Sequence, residues 1–201
     1  MSRLAIILAL LTLPAITPAW ASPGDEATAV AQKIVSGALS IVRDETLTLE
    51  QRRGQLQTIA DETFDFGLMA KLALARTYKK LTPEQRTDFT LEFKRNLTLT
   101  YGSNLEGYSD EGLTIGNARE HKKGDVTVSS AVVGGKNDGA SVDYRMRKVD
   151  GEWKVIDVIV EGISLIKNYR AQVQDIVRSK GADQLIAQLR EKNNARDARR
   201  R

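Results

Sequence analysis

The sequence of 201 residues contains no cysteine and only one histidine. Without cysteine the chain has neither disulfide bonds nor thiolate metal sites, so its stability must come from core packing. With His121 as the single histidine, zinc sites that require several histidines are excluded as well. Phosphate-binding glycine loops and paired acids of the glycosidase type are also missing. The sequence therefore predicts neither a metal site nor a cofactor.

The chain also carries little net charge. The formal net charge is +4, and much of the basic excess lies in residues 193–201, in Arg196, Arg199, Arg200 and Arg201. A basic tail gives a weak attraction to anionic surfaces but not the cationic face of a nucleic-acid-binding protein, so we predict no nucleic-acid partner. Because this tail has few apolar residues, we expect it to be disordered.

The first 21 residues are typical of a secretory signal peptide. Arg3 supplies a positive charge, an apolar run extends from Leu4 to Leu13, and Ala19-Trp20-Ala21 is a small-x-small cleavage site. The apolar run is much shorter than the roughly 20 residues needed to span a bilayer. We therefore predict cleavage after Ala21 and a mature chain that begins at Ser22 and works outside the cytoplasm.

Helical periodicity dominates the first half of the mature chain. Apolar residues recur at helical spacing over about 26–43, and a shorter helix is predicted over 49–61. Phe64-Asp65-Phe66 then leads into a nearly all-apolar helix that we expect to be buried and that carries Leu68, Met69, Leu72 and Leu74. Thr82-Pro83-Glu84-Gln85 combines an N-cap threonine, a proline at the first helical position and a capping-box glutamine. The long helix that follows has one apolar face. This face carries Phe89, Phe93, Leu97, Tyr101, Leu105 and Tyr108.

From Leu113 the hydrophobic period changes to two. Several alternating runs separated by glycine-rich turns predict an antiparallel meander of about four strands, and two further helices complete the chain. The predicted fold class is therefore α+β, with a curved antiparallel sheet covered by several helices. Curvature leaves space between the two layers, and that space is either filled by side chains or hollow. We assign residues 22–192 to a single domain of this kind.

Candidate catalytic residues are few. Ser164 follows Gly162 as in half of a nucleophile elbow, but the closing glycine is missing, and we expect Ser164 to cap the next helix. Asp157 lies in the most apolar strand, where an ionised carboxylate needs a partner. It is either a general base in a hollow cone or, as we favour, a structural partner of Arg145, Arg170, Arg76 or a tyrosine hydroxyl. The sequence does not read as that of an enzyme.

Two long segments resemble a known family. Phe64 to Phe89 reads FDFGLMAKLALARTYKKLTPEQRTDF, and Val142 to Val173 reads VDYRMRKVDGEWKVIDVIVEGISLIKNYRAQV. Together with Thr100-Tyr101 and the segment from Leu185 to Lys192, they are similar to the MlaC-type phospholipid-binding proteins, also called the toluene-tolerance family. The resemblance covers most of the mature chain. Its departures are small: Ala75 stands where the family usually has glycine, and Tyr78 where it often has tryptophan.

The resemblance implies a periplasmic lipid carrier. Such a carrier holds a phospholipid, or in a related branch a hopanoid-like lipid, in an apolar cavity between sheet and helices. It exchanges this lipid with an outer-membrane lipoprotein complex and with an inner-membrane ABC transporter that bears an MCE-domain ring. We expect a monomer without catalytic residues, whose lipid is cargo and not a cofactor.

The expected cavity wall consists of apolar residues from both layers. Two other hypotheses remain open: a cone-shaped isomerase or lyase that uses Asp157, and a non-catalytic interaction module of the cell envelope with a solid core. Near the cavity mouth, Arg145 and Tyr169 are candidates for contact with a lipid head group. The predicted lipid-binding residues are Phe66, Met69, Leu72, Phe93, Leu97, Tyr101, Val142, Tyr144, Val155, Val158 and Val160.

Overall fold

A computed structural model describes residues 21–105 and 111–199. The described residues form six α-helices, one 3₁₀ segment and a five-stranded sheet. In chain order these are α1 (Pro23–Arg43), α2 (Leu49–Thr63), α3 (Phe66–Leu74), the 3₁₀ segment (Ala75–Lys80), α4 (Pro83–Leu105), β1 (Gly112–Glu120), β2 (Val126–Val133), β3 (Val142–Val149), β4 (Glu152–Val160), β5 (Ile163–Ser164), α5 (Leu165–Lys180) and α6 (Ala182–Ala198). The predicted leader, except Ala21, and Tyr108 lie outside the described residues.

The helices begin where side-chain caps satisfy their first backbone N–H groups. The capping box predicted at Thr82 is present, because the Gln85 N–H donates to Thr82 Oγ1 at 3.2 Å and the Thr82 N–H donates to Gln85 Oε1 at 3.0 Å. Ser164 caps α5 as predicted, accepting a hydrogen bond from the Lys167 N–H. The first helix is capped by Ser22, the residue that follows the predicted cleavage site.

The sheet is an antiparallel meander with the strand order β1-β2-β3-β4-β5. The predicted α+β class is thereby confirmed. About four strands were expected, and the fifth contains only Ile163 and Ser164, too few residues for periodicity to reveal. A bulge at Ile156 shifts the pairing of β3 with β4, since Met146 pairs with Val155 and Arg145 with Asp157.

Within residues 21–105 and 111–199, apolar side chains form two separate cores. The helical core joins α3, α4, α5 and α6 around Phe89 and Phe93. The sheet core lies between α1 and one face of the sheet, here called the inner face, and includes Met146 and Val155. Phe64 packs against both cores and is therefore a link between the two layers.

The prediction of a disordered tail is wrong for residues 193–198. Helix α6 continues through Ala198, and Asn193 is fully buried. The physical reason is that this part of α6 packs on α4 through polar side chains. Arg95, for example, donates a hydrogen bond to Asn194 Oδ1 at 2.8 Å and forms an ion pair with Asp197. Residues 200–201 lie outside the described residues.

Within the described part of the chain, each helix is either too short or too polar to cross a bilayer.

Candidate functional site

The inner face of the sheet continues beyond the helix that covers it. Residues that pair directly across strands share a face, and Tyr144 pairs with Val158, Val142 with Val160, and Val160 with Ile163. These five side chains lie on the same face as Met146 and Val155 of the sheet core. We call the set Val142, Tyr144, Val158, Val160 and Ile163 the uncovered face.

Burial of the inner face decreases along β3 and β4. Met146 and Val155 are completely buried, and Tyr144 and Val158 are half-buried. At the end of the sheet, Val160 is 38% exposed and Ile163 is 64% exposed. Apolar surface left open on one continuous sheet face is a feature of binding sites more than of a monomer's ordinary surface.

The predicted helical residues fall into two groups. Met69, Phe93 and Leu97 are buried inside the helical core. The others lie at its boundary and are half-buried: Phe66, Leu72 and Tyr101. Burial raises the pKa of the Tyr101 hydroxyl above its ordinary value, although the nearby Arg196 opposes the shift.

Two aromatic rings stand where the layers meet. The ring of Phe66 stacks on that of Phe64 with 5.8 Å between centroids, and Phe64 contacts both cores. The ammonium of Lys94 lies 5.5 Å from the Phe66 ring and forms an ion pair with Asp61 at 2.8 Å. This arrangement brings α2, α3 and α4 together beside the sheet.

The sequence-based prediction missed Phe64 and Ile163. Phe64 precedes α3, where the apolar pattern gave no hint of its contact with β4; the backbone N–H of Asp65 donates to the Val155 carbonyl at 3.1 Å. Ile163 belongs to a strand of two residues. The sequence pointed to these two residues only through the FDF and EGIS segments, which belong to the stretches that resemble a known family.

Asp157 has a structural role with partners other than those predicted. Its carboxylate accepts hydrogen bonds from Ser164 Oγ at 2.5 Å and from the Ile166 N–H at 3.1 Å. It is thus bound to the first turn of α5, while Arg170 donates to the Leu72 carbonyl. Both carboxylate oxygens are occupied, and this geometry does not favour a general base.

Arg145 is held by Asp125 and not by Asp157. Both Arg145 and Arg147 donate to the fully buried Asp125 carboxylate, at distances between 2.5 and 3.1 Å. Burial alone would raise the pKa of Asp125, but the hydrogen bonds from Arg147 and Arg145 outweigh it and lower that pKa. Arg145 projects from the sheet face opposite the uncovered face, so it does not point toward the predicted lipid site.

Tyr169 also has an internal partner. Its hydroxyl donates to Asn96 Oδ1, and Asn96 Nδ2 donates to Asn193 Oδ1 at 2.6 Å. Asn193 in turn donates to the carboxylate of Glu92, which Arg190 also contacts at 2.9 Å. Burial raises the pKa of Tyr169 to about 12. This network fastens α6 to α4 and α5.

A pocket of about 170 Å³ lies between α5 and α6. None of the predicted lipid-binding residues lines it, and it is smaller than the roughly 300–1,000 Å³ of a typical ligand pocket. Its walls are Tyr169, Gln172, Val173, Ile176, Leu185, Gln188, Leu189 and Lys192.

Across residues 21–105 and 111–199, no three histidine, cysteine or acidic side chains converge as metal ligands would.

Comparison with known proteins gives three findings. The family model described as "MlaC protein" matches residues 32–191. The toluene tolerance protein ttg2D of Pseudomonas putida is 33% identical over 117 residues, which cover 58% of this chain and 54% of that protein. The alignment thus spans about half the length of this relative.

A solved structure has the same fold. It is the phospholipid-binding protein from Ralstonia solanacearum in complex with a phospholipid, which superposes with a TM-score of 0.78 at 24% sequence identity. The match covers 86% of this chain and 99% of that one. Since the family model spans most of the sequence, the chain belongs to the MlaC protein family.

Proposed function

We propose that this protein is a periplasmic carrier that binds a phospholipid by its acyl chains and shuttles it between membranes. The observation that carries the proposal is the uncovered face: an apolar sheet surface that continues the inner face beyond α1, next to a separate helical core. Membership of the MlaC family supports it. So does the phospholipid in the Ralstonia protein of the same fold.

The chemistry of the cargo explains why such a surface is needed. Each methylene group withdrawn from water contributes about 0.8 kcal/mol, so an acyl chain does not cross an aqueous gap unaccompanied. A carrier must offer apolar surface without requiring a catalytic group. The half-buried residues at the edges of both cores meet this need, and their partial exposure leaves room for acyl chains to complete their burial.

We propose that the acyl chains lie in a cleft between the uncovered face and the boundary of the helical core. The wall on the sheet side is Val142, Tyr144, Val158 and Val160, joined by Ile163. Phe66, Leu72 and Tyr101 form the helical wall. In this arrangement Met69, Phe93, Leu97 and Val155 support the wall from behind, because they are buried among other side chains.

We also propose that the chain is exported and cleaved after Ala21. Its first helix begins at Pro23 with Ser22 as cap, so cleavage at this point leaves the helix intact. By analogy with the family, the carrier would exchange lipid with an outer-membrane lipoprotein complex and an inner-membrane ABC transporter with an MCE-domain ring.

Organic extraction of the purified protein tests the proposal. Mass spectrometry of the extract should find phospholipid in a fixed ratio to protein, and addition of a detergent that strips the lipid should lower the thermal stability. An extract free of lipid, from protein isolated without detergent, would argue for the interaction module. A small polar ligand in its place would favour the isomerase or lyase hypothesis.

A further inference from the structure

The longest acid-free basic stretch of the described chain surrounds the 3₁₀ segment. Residues 66–83 contain Lys71, Arg76, Lys79 and Lys80 but no aspartate or glutamate. This local charge of +4 equals the formal net charge of the whole chain. This short segment is therefore locally basic, although sequence periodicity had marked it only as part of a buried helix and its end.

These cations are free to meet a partner. All four are exposed, and none forms an ion pair with a described residue. The two acidic residues that border the stretch do not form ion pairs with these cations: Asp65 caps α3, and Glu84 lies in the first turn of α4. Exposed cations without counter-ions create a local positive potential.

An aromatic ring lies among the cations. The Lys71 ammonium is 5.6 Å from the centroid of the Tyr78 ring, and the Arg86 guanidinium is 4.6 Å from it. Tyrosine flanked by lysine and arginine is a combination found at membrane–water interfaces, where the ring lies at the level of the head groups and the cations contact phosphates.

The segment is held firmly to the body of the protein. Arg86 Nε donates to the Tyr78 carbonyl at 2.9 Å, and Leu81 is buried in the helical core directly after the two lysines. Tyr78 itself packs against that core. A surface fixed in this way loses little conformational entropy when a partner binds.

We propose that Lys71, Arg76, Tyr78, Lys79 and Lys80, here called the cationic surface, dock the protein on bilayers that contain anionic phospholipids. Charge complementarity selects this partner, because four exposed cations without ion pairs to described residues, one of them against the Tyr78 ring, match a layer of phosphate groups. This docking is separate from cargo binding: the cationic surface shares no residue with the proposed cleft, so each can fail without the other.

Vesicle sedimentation tests this assignment. The purified protein is mixed with vesicles of phosphatidylcholine alone and with vesicles that contain equal parts of phosphatidylcholine and phosphatidylglycerol. We expect binding to the anionic vesicles only, and binding that weakens as sodium chloride is added, because exposed charges are screened beyond about 10 Å at 0.1 M salt.

A matched pair of variants locates the surface. Lys79→Gln with Lys80→Gln should lower the partition coefficient on anionic vesicles about 25-fold, since each lysine near such a surface contributes about fivefold. Lys122→Gln with Lys123→Gln removes the same charge from an exposed lysine pair in the turn between β1 and β2. The partition coefficient of this control variant should stay within about twofold of that of the unaltered protein. Both variants should retain the bound lipid found by extraction.

Three results would overturn the assignment. An equal loss in both variants would mean that net charge and not this surface governs binding. Absence of binding to anionic vesicles at low salt would reject a membrane partner and leave an acidic protein as the alternative. Binding to the neutral vesicles with equal strength would show that phosphate charge is not what is recognised.

Discussion

Ala75 has a backbone conformation that favours glycine. Its φ of 50° and ψ of −123° lie in a region that residues with a Cβ rarely adopt, and the residue is both the C-cap of α3 and the first residue of the 3₁₀ segment. Conformations of this kind cost about 1–3 kcal/mol. The fold tolerates the cost because Leu74 and Leu81, on either side of the segment, are both buried in the helical core.

Replacing Ala75 by glycine should therefore stabilise the protein. Relief of the strain exceeds the extra entropy that glycine gives to the unfolded chain, and we expect a gain of about 1 kcal/mol in the free energy of unfolding. Urea denaturation of both proteins measures the difference. Ala187→Gly, at an exposed position within α6, is the control and should destabilise by about 1 kcal/mol. If Ala75→Gly lowers the free energy of unfolding, the backbone of Ala75 is not strained in the way proposed.

The contacts of single side chains were predictable from the sequence where they join residues that are close together in the chain. The caps at Thr82 and Ser164 follow from residues three positions apart, and the structure confirms both. The partner of Asp157 was not predictable in this way. Arg145 lies directly across from Asp157 in the sheet, but its guanidinium turns to the fully buried Asp125, an acid at the edge of a turn whose burial the sequence does not reveal.

Helix α6 shows why a polar segment is not always a disordered one. Its last turns bury Asn193 against Glu92 and Asn96 of α4, and Arg196 donates to Thr100. Burial raises the pKa of Glu92, but hydrogen bonds from Arg190 and Asn193 outweigh this effect, so the net pKa is lowered. Sequence reasoning equated polarity with exposure, and such paired polar contacts between helices leave no periodic apolar signal.

Truncation after Glu191 should destabilise the protein. The deletion removes the hydrogen bonds that Asn193 makes with Glu92 and Asn96, and it leaves the buried Nδ2 of Asn96 without its acceptor, which costs about 1–3 kcal/mol. Thermal denaturation should show a clearly lower midpoint. Truncation after Ala198 removes three arginines but none of these contacts and should leave the midpoint unchanged. Equal stability of the two truncated proteins would refute the docking of α6.

The overall architecture was predictable because it follows from periodicity. Helices in the first half, an antiparallel meander and two final helices were all expected, and the structure has them in that order. The wall of a cleft was harder to predict. An apolar residue that faces a cleft and one that faces a core have the same position in the pattern, as Val142 and Met146 of β3 illustrate. Only their burial distinguishes them, and burial depends on the layers packed above them.

The boundary between the two cores of the described chain is the place where we expect the layers to separate. Phe64 and Phe66 join the cores, and the Lys94–Asp61 ion pair bridges α4 and α2 beside them. The ion pair is exposed and contributes little to stability, about 0–1 kcal/mol. Separation of the layers at this boundary would admit an acyl chain while each core stays packed. The proposed loading and release of phospholipid requires such an opening.

Lipid occupancy of the Val158→Trp variant tests the central claim, that phospholipid lies against the uncovered face. The added indole should fill space that an acyl chain would otherwise occupy, so the variant should fold with a near-normal melting temperature and carry little lipid in native mass spectrometry. Leu91→Trp places the same ring at an exposed position of α4, where the leucine is already 59% exposed, and should keep its lipid. If Val158→Trp folds and carries the full complement of phospholipid, the proposed site is wrong.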